Sequence, residues 1–328
     1  MVKMMSNITL NNRFCVSGPI FRDIHMIDLY LYDSSLFANV LVVQDSEYLL
    51  IIDSGTSKTA NIIINYLNFY HINGGKIILL PTHYHFDHVG GINKLVHYFK
   101  EKGYDAQVYV TKEQKSRLIE NDQNLRYFTN AKKVFKGMVG DLKPVNEAFL
   151  HIIDERAKVS LGNKFSLSII KTPGHSPDHI SPIITNKRGE RICFFGEALG
   201  INLKNDYYPL PASSAPDFNS KDYINSIEKI IKTRPDIGIF SHFGGIHGKY
   251  NIIQTCRNSI EMLDSFQKHI KELYEKYHDT RKISEIIYNE YEDYITTLAL
   301  NSEISRNLAF TIVYGVLIDL GIKKLKDK

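Results

Sequence analysis

The segment Thr82-His83-Tyr84-His85-Phe86-Asp87-His88 sets three imidazoles and one carboxylate within six residues, directly behind the apolar run Lys76–Leu80 and Pro81. Imidazole nitrogen and carboxylate oxygen are the donors that borderline divalent metals such as zinc, iron and manganese prefer. Ligands need a stiff base, and an apolar run of strand length, stopped by a proline, supplies one. Alternation along an extended chain turns His83, His85 and Asp87 toward one side, while His88 projects differently and can reach a second ion. The ordinary alternative is a histidine-rich surface turn. The rest of the chain decides between them.

Upstream, Leu29–Tyr32, Val40–Val43 and Tyr48–Ile52 read as short strands, and Asp53-Ser54-Gly55-Thr56 as a tight turn. Ser57–Tyr70 has helical spacing, and Ile92–Tyr98 opens another helix. Ile119–Asn146 is polar and broken by glycines, which predicts loop and short helix. Three later apolar strands each lead to a ligand-type residue. Phe165–Ile170 runs through Lys171-Thr172-Pro173-Gly174 to His175, Ile192–Phe195 through Gly196 to Glu197, and Ile237–Phe240 through Ser241 to His242. Ligands in α/β architectures gather beyond the carboxyl ends of strands, so the convergence disfavours a surface turn. A helix is expected over Lys221–Lys232, introduced by Asn219 or Ser220. Strand-type sequence stops near residue 242. Beyond Tyr250, Cys256, Ile260, Leu263, Phe266, Ile270, Leu273 and Tyr277 recur at helical intervals, and a last helix runs from Ser302 to a stop at Gly321. The expected division is a catalytic domain over 1–250 and a helical appendage over 251–328.

Composition bounds the function classes. The 328 residues are 43% hydrophobic and 23% charged, enough for a large core and too apolar for a disordered chain. A net charge of +4 without a long basic run argues against a nucleic-acid surface. Cys15, Cys193 and Cys256 lie far apart, which suggests neither disulfides nor a cysteine zinc site and fits the reducing cytoplasm. The N-terminus has no signal-peptide pattern, and the apolar run Asn307–Ile318 is too short to span a bilayer, so no membrane association is expected.

The motif order His83-x-His85-x-Asp87-His88, Thr172-Pro173-Gly174-His175, Gly196-Glu197 and a late His242 makes residues 20–250 resemble the metallo-β-lactamase fold superfamily, closest in style to its glyoxalase-II-like hydrolases. The resemblance implies an α/β protein, a four-layer αβ/βα sandwich with the helical appendage added, and a dinuclear metal centre at one edge. It further implies that His83, His85 and His175 hold one ion, that Asp87, His88 and His242 hold the other, and that Glu197 bridges them. Relatives usually carry aspartate at the bridge, so Glu197, one methylene longer, is a departure. Asp53 corresponds to an aspartate that braces the metal loop. His179, with Asp178, could orient a ligand imidazole from outside the cage. Tyr207 and Tyr208 could wall a substrate pocket, with a hydroxyl as donor.

The implied reaction is metal-dependent hydrolysis of a carbonyl ester, thioester or lactone. Two divalent ions, zinc before iron or manganese, would supply hydroxide at neutral pH, with Asp87 orienting it as the catalytic residue. The span between Glu197 and His242 is short for the extra domain that nucleases of this superfamily insert there. Phosphodiester hydrolysis, iron-dependent persulfide dioxygenation and a non-catalytic metal-binding role are the alternatives. The expected partner is a small-molecule substrate. The C-terminal helices could pack on the core, cover the pocket or form a homodimer surface.

Overall fold

The computed structural model describes residues 12–202, 209–292 and 302–324. Two seven-stranded sheets face each other. The first runs β2 (Gly18–Phe21), β3 (Ile24–Asp28), β4 (Asn39–Gln44), β5 (Tyr48–Ile52), β6 (Lys76–Leu80), β7 (Asp105–Val110) and β8 (Leu150–Ile152), in that spatial order. It is antiparallel as far as β5 and parallel from β5 onward, with Ile52 paired to Leu80. The second runs β1 (Arg13–Phe14), β14 (Gly245–His247), β13 (Ile237–Phe240), β12 (Arg191–Gly196), β11 (Ile180–Asn186), β10 (Phe165–Lys171) and β9 (Val159–Leu161). Only its β12–β13 pair is parallel.

Alternation along the strands builds the layers. Leu50, Ile52, Ile78 and Leu80 of the first sheet meet Leu167, Ile169, Phe194 and Ile239 of the second in one shared core. Their neighbours Leu49, Ile51, Ile77 and Leu79 face the other way, onto α1 (Ala60–Phe69) and α3 (Ile92–Glu101). Cys193, Phe195 and Phe240 point outward from the second sheet onto α6 (Ser220–Thr233) and the first half of α7 (Lys249–Tyr277). Both faces of each sheet are covered, which is why these strands read as continuous apolar runs. The fold is therefore a helix–sheet–sheet–helix sandwich of the α/β class, with C-terminal helices added. Short helices α2 (Phe86–Val89) and α4 (Lys112–Leu118) flank the histidine-rich loop. The distal half of α7 packs with α8 (Thr280–Glu290) and α9 (Ser302–Asp319) through Phe266, Ile270, Ile283 and Val313. No helix among the described residues is long and apolar enough to cross a membrane.

Three expectations need correction. Leu29–Tyr32 is not a strand: β3 ends at Asp28, whose carboxylate accepts the Tyr30 and Leu36 N–H groups at 3.0 and 2.8 Å and bends the chain out of the sheet. Tyr30, Tyr32, Asp33 and Leu36 all have positive φ there, a conformation that no β-propensity can reveal. Ile119–Asn146 contains a full helix, α5 (Asp122–Phe135), capped by Asn121 through the Asn124 N–H at 2.9 Å. Its apolar contact is confined to a small cluster with Phe86, Val139 and Leu142, so its periodicity is faint. Strand structure also continues past residue 242, because β14 closes against β13 and β1.

Candidate metal centre

Four strand ends converge at one edge of the sandwich. Pro81 and Thr82 carry the chain from β6 into His83, and the extended stretch lasts only to His85 (ψ 146°) before α2 begins. The alternation expected to align Asp87 with His83 and His85 is thus broken. Asp87 instead joins His88 and His242 in one donor group, while His83 and His85 join His175 and Glu197 in another. Within each group the donor atoms lie within 4.8 Å of one another. His83, His88, His175, Glu197 and His242 are all at most 5% exposed.

Hydrogen-bond partners set the tautomers. His175 Nδ1 donates to the Ala212 carbonyl at 2.6 Å, His88 Nδ1 to Asp53 Oδ2 at 2.8 Å, and His242 Nδ1 to the Phe37 carbonyl at 3.3 Å. The Thr82 hydroxyl donates to the Asp53 carboxylate at 3.0 Å and so accepts from His83 Nδ1, also at 3.0 Å. In the neutral ring each of these four histidines therefore presents an Nε2 lone pair to the interior. Asp53 anchors both ends of the loop, since its Oδ1 also accepts the Thr82 N–H at 2.7 Å. Gln114 of α4 holds the same loop from below, donating to the Pro81 and Thr82 carbonyls at 3.0 and 2.9 Å.

The donor set fits a cation. His83 Nε2, His85 Nδ1 and His175 Nε2 are 2.9–3.1 Å apart in pairs, and Glu197 Oε2 stands 3.1 Å from the first and 2.7 Å from the last. A tetrahedral ion with bonds of about 2.0–2.1 Å needs ligand atoms roughly 3.3 Å apart. Lone pairs so close repel unless a positive charge lies between them. His88 Nε2 is buried with no hydrogen-bond partner and faces the same interior, 3.4 Å from Glu197 Oε2. Electrostatics agree. Burial would raise the Glu197 carboxyl, yet the surrounding histidines, His175 foremost, hold it well below the usual carboxylate range. Burial pulls His83 and His85 down. His88 and His175 are raised in spite of burial, by Asp53 and Glu197 respectively. A field that draws protons onto those rings draws a metal cation equally.

The sequence profile of the metallo-beta-lactamase superfamily matches residues 35–242, well over half of the chain and the span from the first turn of the site to its last donor. The chain belongs to the metallo-beta-lactamase superfamily. The metallo-beta-lactamase fold-containing protein of Sulfurisphaera tokodaii is 25% identical over 235 residues, covering 70% of this chain and 81% of the relative. The crystal structure of an archaeal superfamily protein from Sulfolobus tokodaii aligns with a TM-score of 0.54 at 22% identity, over 72% of this chain and 86% of the other. A B3 metallo-beta-lactamase with an active-site glutamic acid aligns with a TM-score of 0.53 at 17% identity, over 76% and 88%. The superfamily typically binds a dinuclear metal, and the two donor groups described above suit one.

Not every candidate sits as expected. His179 accepts the Glu197 N–H at its Nε2, 3.0 Å away, and its Nδ1 donates to Thr172 Oγ1 at 2.8 Å. It therefore fixes the backbone at Glu197 and reaches no ligand imidazole with a hydrogen bond. Asp178 accepts from Ser176 at 2.8 Å and leaves its Oδ2 buried without a partner. Tyr207 and Tyr208 lie outside the described residues. The superfamily motifs also gave no hint of Tyr127 on α5, whose ring stacks on His85 at 6.4 Å and whose hydroxyl oxygen accepts the Phe86 N–H at 3.0 Å. The only local signal was the Asn121 cap that starts its helix.

Proposed function

We propose that this chain is a metal-dependent hydrolase that uses two divalent ions, zinc first among them, to cleave a carbonyl ester, thioester or lactone of small-molecule size. The observation that carries the reading is the reach of Glu197: Oε2 lies against His175 and His83, while Oε1 faces His242 Nε2 at 3.4 Å. A carboxylate that touches both donor groups suits one ion on each side of it. In this reading His83, His85 and His175 hold the first ion, Asp87, His88 and His242 the second, and Glu197 joins them.

Such a pair would acidify water into the neutral range and polarise a substrate oxygen. Asp87 is the more open of the two cage carboxylates, its side chain 17% exposed against 7% for Glu197. It is thus placed to accept a proton from an attacking water and set the line of approach. Asp53, through Thr82 and directly, keeps His83 and His88 in the tautomer that offers Nε2 to the interior. The described residues between Glu197 and His242 form α6 and β13, without an added domain of the kind that would grip a polynucleotide. This favours a carbonyl substrate over a phosphodiester. Residues 1–250 act in this scheme as the catalytic unit and 251–328 as an appendage. The buried free thiols of Cys193 and Cys256 suit a reducing cytoplasm.

Elemental analysis of the purified protein, followed by turnover of thioesters, lactones, phosphodiesters and persulfides with each metal restored, tests the proposal. Hydrolysis of a carbonyl substrate that is abolished by Asp87→Ala with the fold retained supports it. Oxygen uptake with persulfide, or metal binding without turnover of any class, rejects it.

A further inference from the structure

The turn that leaves β3 holds its shape at a cost. Tyr30, Tyr32, Asp33 and Leu36 occupy the left-handed region, where a side chain is disfavoured, and the Asp28 carboxylate fastens the turn through the Tyr30 and Leu36 N–H groups. Strain of this kind clusters where the fold fixes a side chain for chemistry. The side chain so placed is Tyr32. Its ring lies 5.7 Å from the Phe37 ring, which packs in turn on the His242 ring at 5.0 Å. It also packs against the small cluster built on Phe86, the residue before Asp87.

Tyr127 reaches the same cluster from α5. Its ring lies against the His85 and Tyr84 rings, with centroids 6.4 and 4.9 Å away. Its hydroxyl oxygen accepts the Phe86 N–H at 3.0 Å, so its own O–H proton points elsewhere. The two rings therefore flank Asp87, Tyr32 from the His242 side and Tyr127 from the His85 side. Both side chains are half-buried, and neither O–H meets an acceptor among the described residues. Burial first, and Asp87 next, raise both phenols well above their ordinary range, so each keeps its proton at neutral pH. Two idle donors beside a proton-handling carboxylate call for an acceptor on the substrate.

We propose that Tyr32 and Tyr127 donate to the leaving-group oxygen of the substrate, so that the enzyme selects oxygen esters and lactones over thioesters. The proposal rests on the hydrolytic reading and narrows it to a substrate class. The proton that Asp87 takes from water has to reach the departing group, which brings that group within hydrogen-bonding range of Asp87 and of the phenols on either side. An alkoxide oxygen forms a strong hydrogen bond with a phenol, whereas sulfur is a weak acceptor. One water is consumed: its oxygen bonds to the acyl carbon and the C–O bond breaks. One of its protons passes through Asp87 to the leaving oxygen, and the acid product ionises with loss of the other. Both phenols keep their own protons throughout.

The test uses the full-length protein with zinc restored and a matched pair of substrates, ethyl butanoate and S-ethyl thiobutanoate. Tyr32→Phe and Tyr127→Phe keep the rings and remove only the donors. Each should lower kcat/KM about tenfold or more on the oxygen ester and less than about threefold on the thioester, with bound zinc unchanged. Calorimetric titration with ethyl butylphosphonate, which imitates the tetrahedral state, should show the same selective loss of about tenfold relative to its S-ethyl counterpart. Circular dichroism confirms that the variants fold. The tighter binding of the oxygen analogue by the unaltered protein stands by itself if they do not. Equal losses on both substrates, no loss on either, or equal binding of the two analogues overturns the donor pair, and turnover beside it would leave the general reading intact. Selective loss of phosphonate binding, in a protein that turns over neither substrate, supports the pair and rejects the hydrolytic reading.

Discussion

The first sheet delivers four donors, His83, His85, Asp87 and His88, from one loop and one short helix after β6, whereas the second delivers His175, Glu197 and His242 singly from the ends of β10, β12 and β13. The first set is held by short-range hydrogen bonds to Thr82 and by Asp53 at the end of the adjacent strand. The second set is held from a distance: His175 by the Ala212 carbonyl, Glu197 by His179, His242 by the carbonyl of Phe37 in the turn before β4. One half of the cage is thus a folded loop and the other a product of strand register. Damage to the second half should spread further, because no local segment compensates for a lost position.

The sharpest way to break this comparison is at Glu197, the residue that touches both halves. Glu197→Gln keeps the shape and removes the charge, and should cost on the order of 10³-fold in turnover, with bound metal falling toward one ion per chain by elemental analysis. Retention of two tightly held ions in that variant would mean the halves assemble without it. Next is Gly196→Ala. Gly196 has φ +62°, and a Cβ there would run into the His179 ring that anchors Glu197. Left-handed strain and the forced displacement together should cost roughly 2–5 kcal/mol, read from urea unfolding.

The third prediction concerns pH. Burial pushes Asp178, in the loop between His175 and His179, up to about 6. The folded chain then keeps a proton that the unfolded chain has already lost. Stability therefore falls as pH rises from about 4 to about 6 and stays lower above that, by up to about 3 kcal/mol. Asp178→Asn should flatten this slope in thermal melts across that range, and an unchanged slope would show that the second-sheet loop does not carry the effect. The smallest expected effect is on the locally held half. Asp53→Asn weakens the anchor of both His83 and His88 and should lower metal affinity about 10- to 100-fold, measured by competition with a chelator.

Much of the sandwich was legible because strands covered on both faces, such as Lys76–Leu80 and Tyr48–Ile52, are apolar at nearly every position and end at prolines or turns. The Asn219 cap and the spacing after Tyr250 likewise marked α6 and α7. Legibility failed where backbone geometry or a few long-range contacts decide the outcome. The positive-φ turn through Tyr30 and Tyr32 leaves no trace in residue type, since neither is glycine. Helix α5 buries little, so its pattern is weak, and with it Tyr127 escaped notice. Nothing in the sequence singled out Gln114, although it is fully buried beneath the histidine loop.

Sequence alone marked which residues offer metal-type donors and that they follow strands, because donor type and apolar run length are local properties of the chain. The family resemblance already implied their division into two sets, and the tertiary structure shows how the chain achieves it. The helical turn at Phe86 moved Asp87 away from His83 and His85, and His179 turned out to hold a backbone rather than an imidazole. It also packed the Phe37 ring on the His242 ring, with centroids 5.0 Å apart. Those outcomes depend on which strands pair and in what register, and pairing energy is summed over contacts between residues far apart in the chain, so no short window of sequence contains it.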